Sequence, residues 1–346
     1  MSTYVILAMA AIGAAMCSLG LVAAVRRAAL RRGILDAPND RSLHSAPTPR
    51  GGGVAIVAVT VFGLLLAWAL GEDWAWTSMW ALLVAALLVA VVSWKDDVRP
   101  LPVGVRFAAH AVAAVLVMSG IGWWGVVELP WVGLIRLGWL GAGMSLLWIV
   151  GLTNAYNFMD GIDGIAGSQA VVAGLGWVAL AWGSGRIETW LGLLLAAASL
   201  GFLVHNWPPA KIFMGDVGSA FLGFSFAALA IIGARHDPQL ALAGALVVWP
   251  FVFDASFTLL RRLRRGENVV QAHRSHLYQR LVLAGYSHQF VTCLYGALAV
   301  LGVMLALVWA RGVAGAVWVV PVMLAVAMVG LWRFVVWAER RREATG

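Results

Sequence analysis

Residues 214–235 read MGDVGSAFLGFSFAALAIIGAR, a long apolar run bounded by Asp216 and Arg235. Charged side chains are costly inside a bilayer, so an apolar run of roughly 20 residues between charged ends predicts a membrane-spanning helix. Ten further stretches have the same character. Together the eleven predicted spans cover about 4–25, 51–71, 78–94, 105–121, 138–153, 165–183, 188–205, 218–234, 239–260, 288–310 and 315–338.

The composition of the whole chain agrees with these spans. Of its 346 residues 62% are hydrophobic and 12% are charged, and the mean hydropathy is +0.87. A soluble domain is about half apolar and about a quarter charged. We therefore expect an all-α integral membrane protein, a polytopic bundle of about 11 transmembrane helices that forms one domain over residues 1–346.

The basic residues predict the orientation of the bundle. Of the 24 Lys and Arg residues, all but Arg136, Arg186, Arg235 and Arg311 fall at one set of span ends. Basic residues concentrate on the cytoplasmic side, which predicts a periplasmic N-terminus, a cytoplasmic C-terminus and a multi-pass protein of the bacterial inner membrane. The cytoplasmic loops would cover about 26–50, 94–105, 153–164, 205–217 and 261–287.

The net charge of +8 follows from this topology and favours anionic lipids or substrates as partners. Nucleic acid is not expected as a partner, because the chain has no soluble basic domain to hold it. Small residues in the apolar spans permit a homodimer.

Acidic residues recur at the cytoplasmic ends of the predicted spans. Asp96 and Asp97 are adjacent, and Asp160 and Asp163 share a helix face with Asn157 if that segment is helical. Adjacent carboxylates repel each other unless a cation lies near them. Oxygen ligands in this number suit a hard cation that carries a phosphate. The alternatives are solvated helix ends, a capped turn and, for Asp216, a helix N-cap.

Two further cytoplasmic segments carry basic groups. His273, Arg274 and His276 lie together, and we interpret them as phosphate or sugar contacts, because no further ligands complete a zinc site. The alternative is a basic segment that lies on anionic lipid. The connector 36–53 carries His44 and Arg50, but it lacks the ending of a phosphate-binding P-loop.

Four motifs in this order carry a family resemblance: Asp96-Asp97, Asn157-x-x-Asp160-Gly-x-Asp163-Gly, Phe213-Met214-Gly215-Asp216-x-Gly-Ser and His273-Arg274-Ser275-His276. They resemble the polyprenyl-phosphate N-acetylhexosamine-1-phosphate transferase superfamily of glycosyltransferase family 4 type. The similarity is greatest to the bacterial enzymes that initiate O-antigen. The peptidoglycan branch has three consecutive His where this chain has His-Arg-Ser-His, which argues against a muramyl-pentapeptide substrate.

The resemblance implies a transferase for substituted phosphate groups. It would move an N-acetylhexosamine 1-phosphate from a UDP-sugar to undecaprenyl phosphate, release UMP and start a cell-surface polysaccharide in lipopolysaccharide or cell wall biogenesis. Mg²⁺ would be required, with Mn²⁺ as a substitute, and Asp216 and Asn157 would be its ligands. The implied catalytic residues are Asp96, Asp97, Asp160, Asp163 and Asp216, and the implied substrate contacts are Asn157, Arg106, Lys211, His273, Arg274, His276, His44 and Arg50.

Two mechanisms fit this reaction. The lipid phosphate attacks the sugar-linked phosphorus directly, or an Asp first forms a covalent phospho-sugar enzyme. A phosphomonoester has a second pKa of about 6, so much of the acceptor is already a dianion at neutral pH and needs little help from a base. We favour direct attack, with Asp96 or Asp97 orienting the acceptor or acting as a modest base.

Two other function classes remain as alternatives. CDP-alcohol phosphotransferases also carry Asp-rich helix ends, but Ala166 is followed here by Gly167, where their signature continues differently. A transporter with a polar site at its inner face is the non-enzyme alternative, and it would place ionisable groups near the bilayer midplane in repeated halves. The identity of the sugar is left open, among GlcNAc, GalNAc, FucNAc and QuiNAc.

Overall fold

The computed structural model describes residues 3–36, 43, 46–184, 186–268, 271 and 273–345. Helices dominate these ranges, and two short antiparallel hairpins accompany them. The helices are α1 Thr3–Arg32, α2 Gly53–Ala69, α3 Trp76–Val98, α4 Val103–Ile121, α5 Trp139–Met159, α6 Ile165–Leu180, α7 Ile187–Asn206, α8 Asp216–His236, α9 Gln239–Val247, α10 Trp249–Arg264, α11 Leu277–Leu283, α12 His288–Ala310 and α13 Ala316–Thr345. The strands are β1 Leu35–Asp36, β2 Thr48–Pro49, β3 Val126–Leu129 and β4 Gly133–Arg136.

The prediction of an all-α integral membrane protein is confirmed. Within the described ranges, seven helices are long and apolar enough to cross a bilayer, or up to eight if a bent pair is counted as one span. The count of eleven is not confirmed. Each predicted stretch does contain a helix, but α2 and α6 have only 17 and 16 residues, and Asn154 and Asn157 lower the hydropathy of α5.

The bent pair replaces the span predicted at 239–260. The axes of α9 and α10 meet at 78° at Val248. Pro250 stands in the first turn of α10, and a proline has no N–H to continue the hydrogen bonds of a preceding helix. One apolar stretch therefore forms two helices with different directions.

Two helices extend into ranges that were expected to be cytoplasmic loops. α3 ends at Val98 and α5 ends at Met159, so Asp96, Asp97 and Asn157 lie on the last turns of helices. We refer to the end of the bundle that holds these residues and the start of α8 as the basic end, because it also carries Arg31, Arg32 and Arg261–Arg265.

α8 forms the centre of the bundle, since 94% of its 18 most apolar consecutive residues are buried, against 17% for the corresponding segments of α1 and α13. It packs against α2, α3, α5 and α9. The crossing with α2 is close, because a Cβ added to Gly53 would lie 2.3 Å from Cα of Gly218. The first turns of α2 and α8 therefore meet at the basic end.

The connector at 36–53 forms part of a hairpin at this same end. β1 pairs with β2 in the register Leu35 to Pro49 and Asp36 to Thr48. Arg50 follows β2 directly and forms an isolated bridge with Phe213, the residue just before Met214-Gly215-Asp216. The hairpin thus fixes Arg50 beside the start of α8, whereas β3 and β4 pair at the opposite end of the bundle.

Candidate active site

Asp97 and Asp216 meet around Arg50 at the basic end. Nη2 of Arg50 lies 2.7 Å from Oδ1 of Asp97 and 2.7 Å from Oδ1 of Asp216. Burial lowers the pKa of Arg50, but the nearby carboxylates, with Asp216 and Asp97 the largest contributors, outweigh it and raise that pKa on balance. The guanidinium therefore remains charged and allows two carboxylates to lie side by side.

Asp97 also caps α8. Its carboxylate accepts hydrogen bonds from the backbone N–H groups of Asp216, at 2.9 Å, and Val217, at 3.0 Å. A carboxylate at a helix N-terminus satisfies free N–H groups and is stabilised by the helix dipole. The cap therefore comes from α3, and Asp216, the first residue of α8, is free of the N-cap role that the sequence left open.

Asp96 faces a different cation. Its Oδ2 lies 2.8 Å from Nη1 of Arg106, and its Oδ1 accepts from the backbone N–H of Leu101 at 2.6 Å. The same Nη1 lies 3.8 Å from Oδ2 of Asp216. Each of the adjacent aspartates is thus paired with its own arginine, and both arginines reach Asp216.

The motif from Asn157 to Asp163 packs against α8 from the other side. Oδ1 of Asn157 accepts a hydrogen bond from the hydroxyl of Ser219. Asp160 follows the last residue of α5, and burial, reinforced by the charge of Asp216, raises the pKa of this carboxyl group to about 7. Asn157 and Asp160 therefore complete an acidic group of side chains around the start of α8.

Asp163 holds neighbouring segments in place. Its Oδ2 accepts from the backbone N–H of Ala210 at 3.0 Å and lies 3.4 Å from Nδ1 of His288. Its backbone carbonyl accepts from the hydroxyl of Thr292 at 2.8 Å. Asp163 therefore connects the segment before α8 to the start of α12. These contacts suit a residue that holds the elements of the site in place.

Two cavities meet at this cluster. The first has a volume of about 510 Å³ and lies between α4, α5 and α10, with apolar lining from Val103, Phe107, Leu147, Trp148, Val252 and Leu259. The second has a volume of about 300 Å³, and its polar lining includes Asp36, Arg50, Asp160, Asp163, Gln279 and His288. Asn157 and Asp216 line both cavities. We call these the apolar cavity and the polar cavity.

The histidine segment contributes two side chains to the lining of the apolar cavity. His273 and His276 line it together with Arg106 and Arg262. The two imidazole rings lie 4.9 Å apart between their centroids. The structure therefore brings a predicted basic segment, distant in sequence, to the same cavity as Asn157 and Asp216.

The remaining predicted contacts have other positions. The side chain of Lys211 is exposed and is not among the described residues that line either cavity, while its carbonyl accepts from Arg26. Arg274 has a buried Nε for which the described residues offer no hydrogen-bond partner, and it also lies outside both linings. His44 falls outside the described residues.

Asp254 on α10 was missed by the sequence analysis. It is fully buried and contacts His276 and the first turn of α11. The sequence did contain a signal for it, because a single acid inside the apolar stretch 239–260 is an ionisable residue at membrane depth. Such residues usually have a charged or polar partner and a function.

The donor atoms at the junction suit a particular kind of cation. Within the described ranges no group of three or more His, Cys, Asp or Glu side chains is arranged to hold a metal ion. Mg²⁺ keeps several waters and binds through one or two carboxylates together with substrate phosphates. The hard oxygens of Asp216 and Asn157, at the junction of the two cavities, fit that mode of binding.

The sequence was compared with known proteins. Residues 79–234 match the family described as Glycosyl transferase family 4. A probable undecaprenyl-phosphate N-acetylglucosaminyl 1-phosphate transferase of Bacillus subtilis is 33% identical over 270 residues, which cover 77% of this chain and 74% of that protein. The decaprenyl-phosphate N-acetylglucosaminephosphotransferase of Mycobacterium tuberculosis is 32% identical over 316 residues, covering 82% and 78%.

A third relative comes from the peptidoglycan branch. The phospho-N-acetylmuramoyl-pentapeptide-transferase of a Synechococcus species is 33% identical over 276 residues, which cover 74% of this chain and 77% of that protein. The matched region of the family contains the Asp96-Asp97, Asn157–Gly164 and Asp216 motifs. The resemblance seen in the motifs is confirmed, and the chain belongs to glycosyl transferase family 4, among the polyprenyl-phosphate N-acetylhexosamine-1-phosphate transferases.

Proposed function

We propose that the protein transfers an N-acetylhexosamine 1-phosphate from a UDP-sugar to undecaprenyl phosphate and releases UMP. The observation that carries this proposal is the sharing of Asn157 and Asp216 by two cavities of opposite polarity. A reaction between a lipid and a nucleotide needs one apolar and one polar compartment, with the reacting phosphates between them.

The two substrates are assigned to the cavities by their chemistry. The lipid end of undecaprenyl phosphate suits the apolar cavity, whose lining includes Arg106, His273 and His276 for the phosphate. The UDP-sugar suits the polar cavity, which Arg50 lines. Positioning and charge neutralisation dominate the catalysis of phosphoryl transfer, and the arginines at the junction provide both.

In the proposed step an oxygen of the lipid phosphate attacks the sugar-linked phosphorus of the donor. A new P–O bond forms, the bond from this phosphorus to the oxygen that bridges to UMP breaks, and UMP leaves with that oxygen. Asp216 and Asn157 would hold Mg²⁺, which would neutralise charge on the diphosphate. Arg50 and Arg106 draw the phosphates together, and the contacts of Asp96 and Asp97 support an orienting role for both.

Direct attack can be tested against the covalent mechanism. The protein is incubated with radiolabelled UDP-sugar and Mg²⁺ without the lipid acceptor, and then digested and analysed by mass spectrometry. We expect unmodified Asp96, Asp97 and Asp216. A sugar-phosphate adduct on one of them would refute direct attack while leaving the overall reaction intact.

The names of the relatives guide the choice of donor. Two of them act with N-acetylglucosamine, so UDP-GlcNAc is the first donor to test, and the product would start an O-antigen or a similar polysaccharide. A second candidate donor is UDP-MurNAc-pentapeptide, favoured by the Synechococcus relative. The His-Arg-Ser-His segment argues against it.

The decisive experiment is a panel of donors with purified protein and undecaprenyl phosphate. UMP release and the lipid product are measured with UDP-GlcNAc, UDP-GalNAc, UDP-FucNAc, UDP-QuiNAc and UDP-MurNAc-pentapeptide, in Mg²⁺, in Mn²⁺ and in EDTA. We expect turnover of at least one N-acetylhexosamine donor with either metal and none in EDTA. Absence of UMP from every donor in Mg²⁺ would overturn the proposal, and substrate uptake without turnover would favour a transporter.

A further inference from the structure

We propose that Asp254 is a positioning residue that fixes the ring of His276 with its Nδ1 bound and its Nε2 available to the lipid phosphate. The inference rests on the proposed function, because it concerns the acceptor side of the same site. Asp254 lies on α10 and is not among the described residues that line either cavity.

The carboxylate of Asp254 is fully buried and satisfied by five groups. Oδ1 contacts the backbone N–H of Leu277 at 2.8 Å, the hydroxyl of Thr258 at 3.1 Å and Nδ1 of His276 at 3.3 Å. Oδ2 accepts hydrogen bonds from the hydroxyl of Tyr295 at 2.6 Å and from the backbone N–H of Tyr278 at 3.1 Å. A buried carboxylate is tolerated when donors surround it in this way.

These contacts divide into two kinds. Leu277 N and Tyr278 N are the free N–H groups at the start of α11, so Asp254 caps that helix from outside. A neutral side chain can cap a helix just as well. The contact with the imidazole is different, because it determines which nitrogen carries the proton.

A carboxylate only accepts hydrogen bonds, so the nitrogen that faces it must carry hydrogen. Nδ1 of His276 therefore holds a proton, and Nε2 is left for a ligand. His276 lines the apolar cavity that Asn157 and Asp216 also line. When Nε2 also carries hydrogen, it can donate to an oxygen of the acceptor phosphate without the ring turning, and the carboxylate of Asp254 stabilises that doubly protonated ring.

The rest of the surroundings also restrict this ring. The centroid of His276 lies 5.8 Å from that of Tyr278, whose ring is stacked on it, and 6.4 Å from that of Phe158. The hydroxyl of Tyr278 donates to the carbonyl of Phe158 at 3.0 Å, which ties the segment to the end of α5. Asp254 thus supports a segment that connects the histidine to Asn157.

The first test needs only the wild-type protein. Histidine is labelled with ¹⁵N, the protein is reconstituted in lipid, and solid-state NMR identifies the protonated ring nitrogen of His276, with a His276→Gln sample to assign the signal among the 7 histidines. We expect hydrogen on Nδ1. An unprotonated Nδ1 would overturn the proposal, and this result does not depend on whether any UDP-sugar is turned over.

The second test asks whether Asp254 acts through His276. UMP release is compared for wild type, Asp254→Asn, His276→Gln and the double variant, with melting temperature recorded for each. We expect Asp254→Asn to lower turnover at least tenfold in the wild-type background and less than twofold in the His276→Gln background. Equal fold-losses in both backgrounds would show a merely structural role and overturn the proposal.

Tyr295→Phe is the matched control. It removes one hydrogen bond from Oδ2 of Asp254 but leaves the carboxylate and its contact with His276. A structural role predicts that turnover and melting temperature fall together in Tyr295→Phe and Asp254→Asn alike. The positioning role predicts a loss of turnover in Asp254→Asn well beyond that of Tyr295→Phe.

Discussion

At the scale of single residues, the adjacent Asp96 and Asp97 bind different partners. Asp97 binds the first N–H groups of α8 and a guanidinium, while Asp96 binds Arg106 and the backbone of Leu101. Asp216 is held by both arginines, yet none of the described backbone N–H groups bonds to its carboxylate. Among these acids Asp216 is therefore the one best placed to exchange a protein partner for a substrate-bound cation.

Replacing Asp216 by Asn should lower UMP release by about 100-fold or more, because a charged group at the reacting phosphates is lost. The measurement is UMP release from the best donor, with melting temperature and elution profile as checks of folding. The matched control is Asp237→Asn, the same change just beyond the other end of α8, which should retain activity. Wild-type-like turnover in Asp216→Asn would remove this residue from the site.

The raised pKa of Asp160 predicts how the stability of the protein depends on pH. Its pKa is raised to about 7 in the folded protein, and an unfolded Asp titrates near 4. Between these values the folded state binds more protons, so stability should fall as pH rises from about 4 to about 7 and then level off.

Thermal unfolding in EDTA between pH 5 and pH 8 tests this expectation. Asp160→Asn should flatten the decline, whereas Asp73→Asn, a change at an exposed carboxyl group far from the site, should not. An unchanged slope in Asp160→Asn would contradict the assignment.

The sequence was informative about these residues where a motif combined several polar groups. Asp97, Asn157 and Asp216 were predicted from separate motifs, and the structure brings all three to the start of α8. Lys211 was predicted as a substrate contact together with the motif residues, and its side chain is exposed outside both cavities. Asp254 was missed because a single acid has no motif, and all its partners except Thr258 lie more than twenty residues along the chain.

At the scale of elements, the crossing of α2 and α8 positions Arg50 against Asp216. Gly53 begins α2 only three residues after Arg50, and Gly218 is in the first turn of α8. A side chain on Gly53 would meet backbone, at 2.3 Å from Cα of Gly218, and backbone cannot turn aside.

Gly53→Ala should therefore destabilise the protein by about 1–3 kcal/mol and also reduce turnover, because the two helices must separate. Melting temperature and UMP release measure the two effects. Gly104→Ala is the control, since an added Cβ on that exposed helical glycine meets open space and should be neutral or slightly stabilising. Equal stability of the two variants would contradict the close crossing.

The helices could be predicted from hydropathy, and their interruptions could not. Each of the eleven apolar stretches contains a helix, since backbone groups in lipid must be paired within a helix. The stretch 239–260 was predicted as one continuous helix, because its apolar composition gives no information about a change in helix direction. Trp249-Pro250 was the local signal of the break, but its angle does not follow from the sequence. In the structure both helices contact α12, while α9 also packs against α8 and α10 against α5.

At the scale of the whole molecule, the basic end should face the cytoplasm. In a background of Cys17→Ser and Cys293→Ser, a membrane-impermeant maleimide applied to spheroplasts should label Asp73→Cys, in the connection between α2 and α3. It should label Arg264→Cys, at the end of α10, only after the membrane is disrupted. Both positions are exposed, so accessibility alone does not distinguish them. The reverse pattern would invert the orientation and separate the site from cytosolic UDP-sugars.

The angle between α9 and α10 has a consequence for how a very long lipid is handled. The tail of the proposed acceptor, undecaprenyl phosphate, is too large for a volume of about 510 Å³, so most of it would stay among the surrounding acyl chains. Val252 and Leu259 lie on α10, whose axis makes an angle of 78° with that of α9, and both side chains line this cavity. Because the tail would remain in the bilayer, the proposed reaction needs only the head group of the lipid to reach Asn157 and Asp216.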